Sequence, residues 1–96
     1  MKAADCVTMA EIRAEIDRLD AALVALFAER AGYIDRAAQI KVGAQLPARI
    51  EARVEEVVTN VGDHARAAGL DPDLYQAIWR QVVEWSIARE EKVLGK

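Results

Sequence analysis

The first half of the chain carries one long apolar stripe that is compatible with a single α-helix. Residues on the stripe recur at spacings of three and four, the periodicity of one helix face, and no proline interrupts the chain before Pro47. Thr8 and Glu11 form a capping-box pattern at its start, in which each side chain satisfies a free backbone N–H of the other residue. We therefore predict one helix over roughly residues 9–42. The stripe consists of Ile12, Ile16, Leu19, Leu23, Leu26, Arg30, Ile34, Ala37 and Lys41.

Two shorter helices follow, separated by turn signals. The segment from Gly43 to Pro47 is predicted to be a loop, because glycine ends helices at low cost and proline fits the first turn of the next helix. Gly69 is placed to adopt a left-handed conformation after the second helix, and Asp71 with Pro72 forms a start signal for the third. The predicted second and third helices cover roughly residues 48–68 and 72–94.

Composition and helix length together predict the architecture. The chain is rich in helix-forming residues and no segment alternates like a strand, so we expect an all-α fold of three helices in one domain over residues 1–96. The first helix would be about 50 Å long, whereas a compact chain of this size has a radius of gyration of about 12 Å. Two shorter helices cannot cover so long a stripe. We therefore expect a second copy, related by a twofold axis, to complete an intertwined homodimer.

Charge and hydropathy exclude several classes of function. The chain has 13 Lys and Arg against 16 Asp and Glu, a net charge of −3, and no basic run of the kind that binds nucleic acid or an anionic membrane. No apolar run approaches the roughly 18 to 20 residues that span a bilayer, and the N-terminus lacks the apolar core of a secretion signal. We expect a cytoplasmic protein with neither nucleic acid nor membrane as a partner.

The residues that usually carry metal or covalent chemistry are sparse. Cys6 is the single cysteine and cannot form an internal disulfide, and His64 has no Cys or His partner at metal-ligand spacing. The sequence contains no Ser-His-Asp set, glycine-rich phosphate loop or zinc pattern. It therefore gives little support to metal, covalent or phosphoryl-transfer chemistry, and we expect no metal site.

Two cations lie on the apolar stripe of the first helix, at positions where apolar residues are expected. Arg30 and Lys41 belong to the apolar stripe and are 11 residues apart, which is only about 20° from three full turns and about 16 Å along the axis. Arg53 adds a third cation on the apolar face of the second helix. Because buried charges need partners, these side chains predict an anionic ligand. From the pattern alone, Arg30 and Lys41 could equally reach solvent or pair with the many carboxylates of the chain.

Three further residues are candidates for the same site. Arg13 lies 28 residues before Lys41, about 42 Å along one helix, so it can reach the site only from the partner subunit of an antiparallel dimer. Ser86 and Glu90 are four residues apart on the third helix and can offer a hydroxyl and a carboxyl group to one cavity. The simpler alternatives are a surface ion pair for Arg13 and a solvated charge for Glu90.

These residues resemble the all-helical chorismate mutases and, within that family, the related isochorismate-pyruvate lyases. The resemblance covers almost the whole chain, and its most specific part is the spacing of four cations at intervals of 17, 11 and 12 residues. The opening Asp-Cys, Ile-Arg and Ile-Asp-Arg motifs look especially like the lyase. The matching segments are Asp5-Cys6, Ile12-Arg13, Ile16 to Asp20, Arg30, Ala38 to Lys41, Arg53, Gly69 to Asp71 and Trp85 to Glu90.

The resemblance implies an intertwined dimer without cofactor that acts on a cyclohexadiene dicarboxylate bearing an enolpyruvyl ether. The substrate rearranges to prephenate in the mutase, or loses pyruvate to give salicylate in the lyase. The family pattern implies that Arg13 of the partner subunit and Arg30 hold carboxylates, and that Lys41 contacts the ether oxygen. It also assigns Arg53 to a further carboxylate, with Arg49 as the alternative one helix register away, and Ser86 to a supporting contact.

Two positions depart from the family pattern. The family commonly has Gln at the position of Glu90, where its amide donates a hydrogen bond to the ether oxygen, and an ionised Glu cannot donate. If Glu90 takes part in catalysis, it should therefore be protonated in the working complex. Many mutases have Glu at the position of Val54, where it contacts the ring hydroxyl of the substrate. The apolar Val54 weakens the assignment to an ordinary mutase and leaves room for the lyase.

The sequence thus leaves three hypotheses. The first is a chorismate mutase, with Lys41, Glu90 and Arg30 as catalytic residues. The second is an isochorismate-pyruvate lyase built on the same site. The third is a non-catalytic helical dimerisation module, whose inward-facing cations only pair with carboxylates.

Overall fold

The protein folds into three α-helices. A computed structural model describes residues 1–95 and contains no strand among them. A short 3-10 turn at Ala3–Asp5 precedes helix α1 (Met9–Ala44), helix α2 (Glu51–Ala67) and helix α3 (Pro72–Leu94). The predicted all-α architecture with a long first helix is confirmed.

The predicted start signals form the expected hydrogen bonds. Glu11 Oε1 accepts from the backbone N–H of Thr8 at 3.1 Å, and Thr8 Oγ1 accepts from the backbone N–H of Glu11 at 3.2 Å. At the start of α3, Asp71 Oδ1 accepts from the backbone N–H of Asp73 at 3.0 Å, and proline occupies the first turn. Each contact satisfies backbone donors that the first turn of a helix otherwise leaves unpaired.

Helix α1 does not end where the glycine signal suggested. The helix continues through Gly43 to Ala44, and Gln45 adopts the left-handed conformation with φ of 58°. The N–H of Leu46 then donates to the carbonyl of Lys41 at 2.9 Å, which satisfies a carbonyl at the helix end. Glycine thus lies within the last turn, and a residue with a side chain occupies the position that glycine usually takes.

Helix α2 is shorter at both ends than the predicted range, because Ile50 is still extended, with φ of −124°. At its other end the helix stops at Ala67, and Gly69 has the predicted left-handed backbone with φ of 74°. The N–H of Leu70 donates to the carbonyl of Ala65 at 2.8 Å, so the same type of cap closes α1 and α2.

The chain divides into two compact units, of which the first is Met1–Tyr33. This unit contains the first 25 residues of α1 and has no fully buried side chain. Its large apolar residues are exposed, with Leu23 and Leu26 keeping 53% and 60% of their surface accessible. An apolar helix face with this exposure is a face that needs a further partner.

The second unit begins at Ile34 and contains the core of the chain. Helix α2 packs against α3, and Gln76 donates to the backbone carbonyl of Val58 at 3.1 Å across that contact. Gly62 makes this possible, because a side chain there would overlap the amide of Gln76. The core cluster consists of Ala48, Val83 and Ile87, with Val54, Val57 and Leu94 packed against it.

None of the helices within residues 1–95 is both long enough and apolar enough to cross a membrane.

The left-handed residue at the end of α1 predicts a stabilising substitution. Replacing Gln45 with glycine should raise the free energy of unfolding by about 0.5–1 kcal/mol, because glycine adopts this backbone without steric cost. Urea unfolding at fixed protein concentration measures the change. Gln39→Gly, the same replacement inside α1, is the matched control and should lower the free energy by up to about 1 kcal/mol. A loss of stability in Gln45→Gly would contradict the cap assignment.

Candidate active site

A buried ion pair joins the last turns of α1 to the last turns of α3. Lys41 Nζ lies 2.7 Å from Glu90 Oε1, and the two side chains are only 17% and 6% exposed. Lys41 also donates to the backbone carbonyl of Ala48 at 2.8 Å, in the segment that leads into α2. The stripe position of Lys41 is therefore a partly buried cation that faces a carboxylate, rather than a side chain that extends into solvent.

A buried ion pair of this kind can stabilise the fold and can also bind a ligand. Removing two charges from water is costly, and their attraction repays that cost only when geometry and further hydrogen bonds are good. An ammonium has three N–H donors, and one of them donates to Ala48, whereas the contact with Glu90 Oε1 is an ion pair in which that oxygen has no hydrogen-bond partner within residues 1–95. Lys41 can thus offer an N–H to a ligand oxygen while the carbonyl of Ala48 holds the ammonium in place.

Ser86 lies one helical turn before Glu90 on α3 and is half-buried. Its hydroxyl donates to the carbonyl of Val82 at 2.9 Å, within its own helix. A hydroxyl oxygen retains acceptor capacity when it donates, and it can rotate to a new partner. The structure thus brings Lys41, Glu90 and Ser86 into the second unit on two facing helices.

Two candidate arginines, Arg49 just before α2 and Arg53 within it, differ in their partners. Arg49 lies 2.6 Å from Glu84 on α3 and 3.6 Å from Glu51, so it ties the start of α2 to α3. Arg53 is exposed and pairs with Glu56 one turn further along its own helix. In the single chain Arg53 therefore lies at the surface and makes a local contact only.

The remaining two candidates belong to the first unit. Arg13 is exposed near the start of α1, and Arg30 is half-buried three residues before the end of that unit. Their roles in the site remain predictions from the sequence.

A cavity of about 660 Å³ adjoins Lys41 at the end of α1. Of the predicted site residues within the described chain, only Lys41 lines it; Ser86, Glu90 and Arg53 do not. Its polar lining residues are Lys41, Gln45, Arg49 and Glu91, and its apolar ones are Val42, Leu46, Pro47, Ala48 and Leu94.

One contact that supports the site was not predicted from the sequence. Arg89 on α3 forms a two-point contact with Asp35 on α1, with Nε 2.6 Å from Oδ1 and Nη2 3.0 Å from Oδ2. The hydrogen bond from Arg89 lowers the pKa of Asp35 below its usual value. Charge patterning along one helix cannot reveal a pair separated by 54 residues, so the sequence carried no signal for it.

Three carboxylates, including Asp35, have a pKa that is lowered by an arginine from another segment of the chain. The pKa values of Glu55 and Glu84 are also lowered, by hydrogen bonds from Arg80 and Arg49. A carboxylate whose pKa is lowered by folding stabilises the protein above the ordinary carboxyl range, and this contribution is lost as the pH falls through the lowered value. All three pairs therefore become weaker on acidification.

No group of three or more His, Cys, Asp or Glu side chains within residues 1–95 is arranged to hold a metal ion. The pair of Lys41 and Glu90 places an ammonium beside a carboxylate at the ends of α1 and α3.

Comparison with known proteins identifies the class. Residues 12–91 match the family described as chorismate mutase type II, a range that includes both members of the buried pair. The chain therefore belongs to the type II chorismate mutase family, as the resemblance indicated. It is similar to the isochorismate pyruvate lyase of Pseudomonas aeruginosa, with 32% identity over 89 residues that cover 92% of this chain and 86% of the relative.

Family membership makes the chain an enzyme, and the family implies a small-molecule substrate. The hypothesis of a non-catalytic dimerisation module thus loses its support, although the buried pair also has a structural role.

The structural role of the buried pair can be measured separately from catalysis. Glu90→Ala strands the ammonium of Lys41 and should lower the free energy of unfolding by about 3–5 kcal/mol. The double variant Lys41→Met/Glu90→Leu should recover most of that loss, because it strands no charge. Urea unfolding of the three proteins provides the comparison, with Glu91→Ala at the exposed neighbouring position as the control. Equal losses in the single and double variants would show that the pair is not buried in solution.

Proposed function

We propose that the protein is a chorismate mutase, which rearranges chorismate to prephenate by a pericyclic reaction without cofactor. The observation that carries the proposal is the buried contact of Lys41 with Glu90 in a chain of this family. The reaction needs no nucleophile. It needs a site that holds a compact conformer of the substrate and stabilises the negative charge that grows on the ether oxygen as the C–O bond breaks.

In this proposal Lys41 directs an N–H that is not bonded to Ala48 to the ether oxygen. The carboxylate of Glu90 and the carbonyl of Ala48 fix the ammonium before the substrate arrives, so little reorganisation is needed during the reaction. Arg30 of the same chain and Arg13 of the partner subunit hold the two substrate carboxylates. The planar guanidinium suits them for this task, because it can bind a carboxylate by two parallel hydrogen bonds.

The contacts of Arg49, before α2, and of Arg53, within it, favour Arg53 as the further carboxylate contact. Arg49 bridges two carboxylates and connects the start of α2 to α3, so its release would break a tertiary contact. Arg53 forms an exposed pair within one helix, which is worth a few tenths of a kcal/mol. Arg53 can therefore turn to a ligand at little cost, and Ser86 can rotate its hydroxyl toward the same ligand.

The enzyme is proposed to be an intertwined homodimer in which residues 1–96 form one domain. A second copy would cover the apolar face that α1 leaves exposed in the first unit, and a twofold axis would produce two equivalent sites. Arg13 could then enter the partner's site. The exposed apolar residues that support this assembly are Ile16, Leu19, Leu23, Leu26 and Phe27.

A second candidate function is the isochorismate-pyruvate lyase reaction. Val54 is half-buried and packs against the core cluster, so it offers no acceptor to a ring hydroxyl. The similarity to a protein named isochorismate pyruvate lyase supports the same alternative. Both reactions break the same C–O bond and develop charge on the same oxygen, so Lys41 would have one role in either.

The products identify the reaction. We expect the purified protein to convert chorismate to prephenate without metal or cofactor, as resolved by chromatography. Isochorismate is the parallel substrate, and formation of salicylate and pyruvate from it would make the protein a lyase. Lys41→Met should reduce either activity by about 10²-fold or more, since it removes one preorganised donor. If the wild-type protein leaves both substrates unchanged, the proposed function is wrong.

Glu90 stands where the family commonly has Gln, so Glu90→Gln tests its part in the reaction. An ionised Glu90 can only accept hydrogen bonds, whereas an amide can donate one to the ether oxygen. We therefore expect Glu90→Gln to raise kcat/KM by about ten-fold, which corresponds to one hydrogen bond to a charged oxygen. Glu91→Gln changes an exposed neighbour by the same substitution and should leave kcat/KM unaltered. An unaltered kcat/KM in Glu90→Gln would remove Glu90 from the mechanism.

A further inference from the structure

The cavity at the end of α1 is not explained by the proposed substrate site. Its wall contains only one of the residues assigned to substrate, and the two cations that line it already have partners within the chain. Lys41 contacts Glu90 and Ala48, and Arg49 contacts Glu84 and Glu51. Most of the remaining lining is aliphatic. The cavity thus fits apolar side chains better than a second dianionic ligand.

The N-terminal segment of the chain has the complementary properties. Val7 and Met9 are 86% and 59% exposed, although they flank the capping box. The segment is nevertheless held in a defined shape, because the N-terminal ammonium of Met1 contacts Glu15 at 3.1 Å and the capping box fixes the start of α1. It therefore presents two apolar side chains that its own chain does not cover. Asp5 adds an acidic group, which suits the side of the cavity that carries Arg49.

The proposed antiparallel dimer brings this segment to the cavity of the other copy. Two antiparallel helices rise by the same distance per residue. Moving four residues toward the N-terminus of one helix therefore reaches the same height along the axis as moving four residues toward the C-terminus of the other. Met9 precedes Arg13 by four residues, and Gln45 follows Lys41 by four. If Arg13 reaches the site of the partner's Lys41, Met9 is therefore level with Gln45, one of the residues that line the cavity.

We propose that residues 5–9 of a second copy of this chain occupy the cavity beside Lys41, with Val7 and Met9 inserted among its aliphatic side chains. This inference rests on the proposed dimer and extends it, because each subunit would contribute a covering segment as well as Arg13. The inserted segment excludes water from one side of Lys41. Its ammonium then acts in a drier environment, in which a hydrogen bond to a developing charge is stronger.

Cross-linking through the single native cysteine tests the proposal. Cys6 lies within the inserted segment, and Leu46 lines the cavity and is partly exposed. In the variant Leu46→Cys, mild oxidation with diamide should join Cys6 of one subunit to the new cysteine of the other, giving a covalent dimer on a non-reducing gel. Thr59→Cys places a cysteine at an exposed position of α2 outside the cavity and is the matched control. We expect cross-linking at least about ten-fold faster in Leu46→Cys, because the two thiols are held at high effective concentration.

The outcomes separate this inference from the dimer itself. Light scattering first establishes whether each protein is dimeric, and a monomeric wild type would overturn both proposals. A dimeric Leu46→Cys that cross-links no faster than Thr59→Cys would overturn only the insertion. Loss of the fast cross-link in Cys6→Ser/Leu46→Cys is expected, whereas its persistence would mean that the two new cysteines had joined each other, which also contradicts the insertion.

A second measurement does not depend on a new cysteine. Val7→Ser should weaken the dimer by about 10- to 100-fold, because two copies of an apolar side chain lose their burial at once. Val93→Ser, at an exposed position of α3 outside the cavity, should leave the dissociation constant unchanged. A dissociation constant that is equal in both variants would refute the burial of Val7.

Discussion

The second unit depends on the contact between Lys41 and Glu90. One ammonium joins the carboxylate of α3 to the carbonyl of Ala48, so the end of α1, the segment before α2 and the end of α3 meet at one atom. A charge this well enclosed must be matched by an opposite charge or by a ligand. The pair therefore holds these three segments together and places an enclosed ammonium beside a carboxylate at the end of α1.

Local signals in the sequence were sufficient for most of the fold. The capping box at Thr8, the cap at Asp71 and the left-handed Gly69 all depend on neighbouring residues, and each has the predicted geometry. The predicted end of α1 came two residues early, because Gly43 costs a helix only about 1 kcal/mol and does not by itself end it. Contacts between distant positions, such as Asp35 with Arg89, could not be predicted, since no periodicity relates one helix to another.

The site itself was only partly accessible to sequence reasoning. A cation in an apolar stripe predicts an anionic partner. The pattern does not reveal whether that partner is a carboxylate of the chain or a ligand. Glu90 was expected to meet a substrate, and the structure shows it in contact with Lys41. The aliphatic side chains along the first unit are exposed, and this exposure supports the proposed second copy.

The three arginine pairs that connect α3 to its neighbours give the protein a defined response to ionic strength. Arg89, Arg80 and Arg49 lie at the surface, where dissolved salt weakens attraction between charges over roughly 8 Å at physiological concentration. The enclosed pair of Lys41 and Glu90 is shielded from those ions. Added salt should therefore loosen the outer connections of α3 while leaving its contact with Lys41 intact, so that the protein's tolerance of salt depends on its surface pairs and not on the enclosed one.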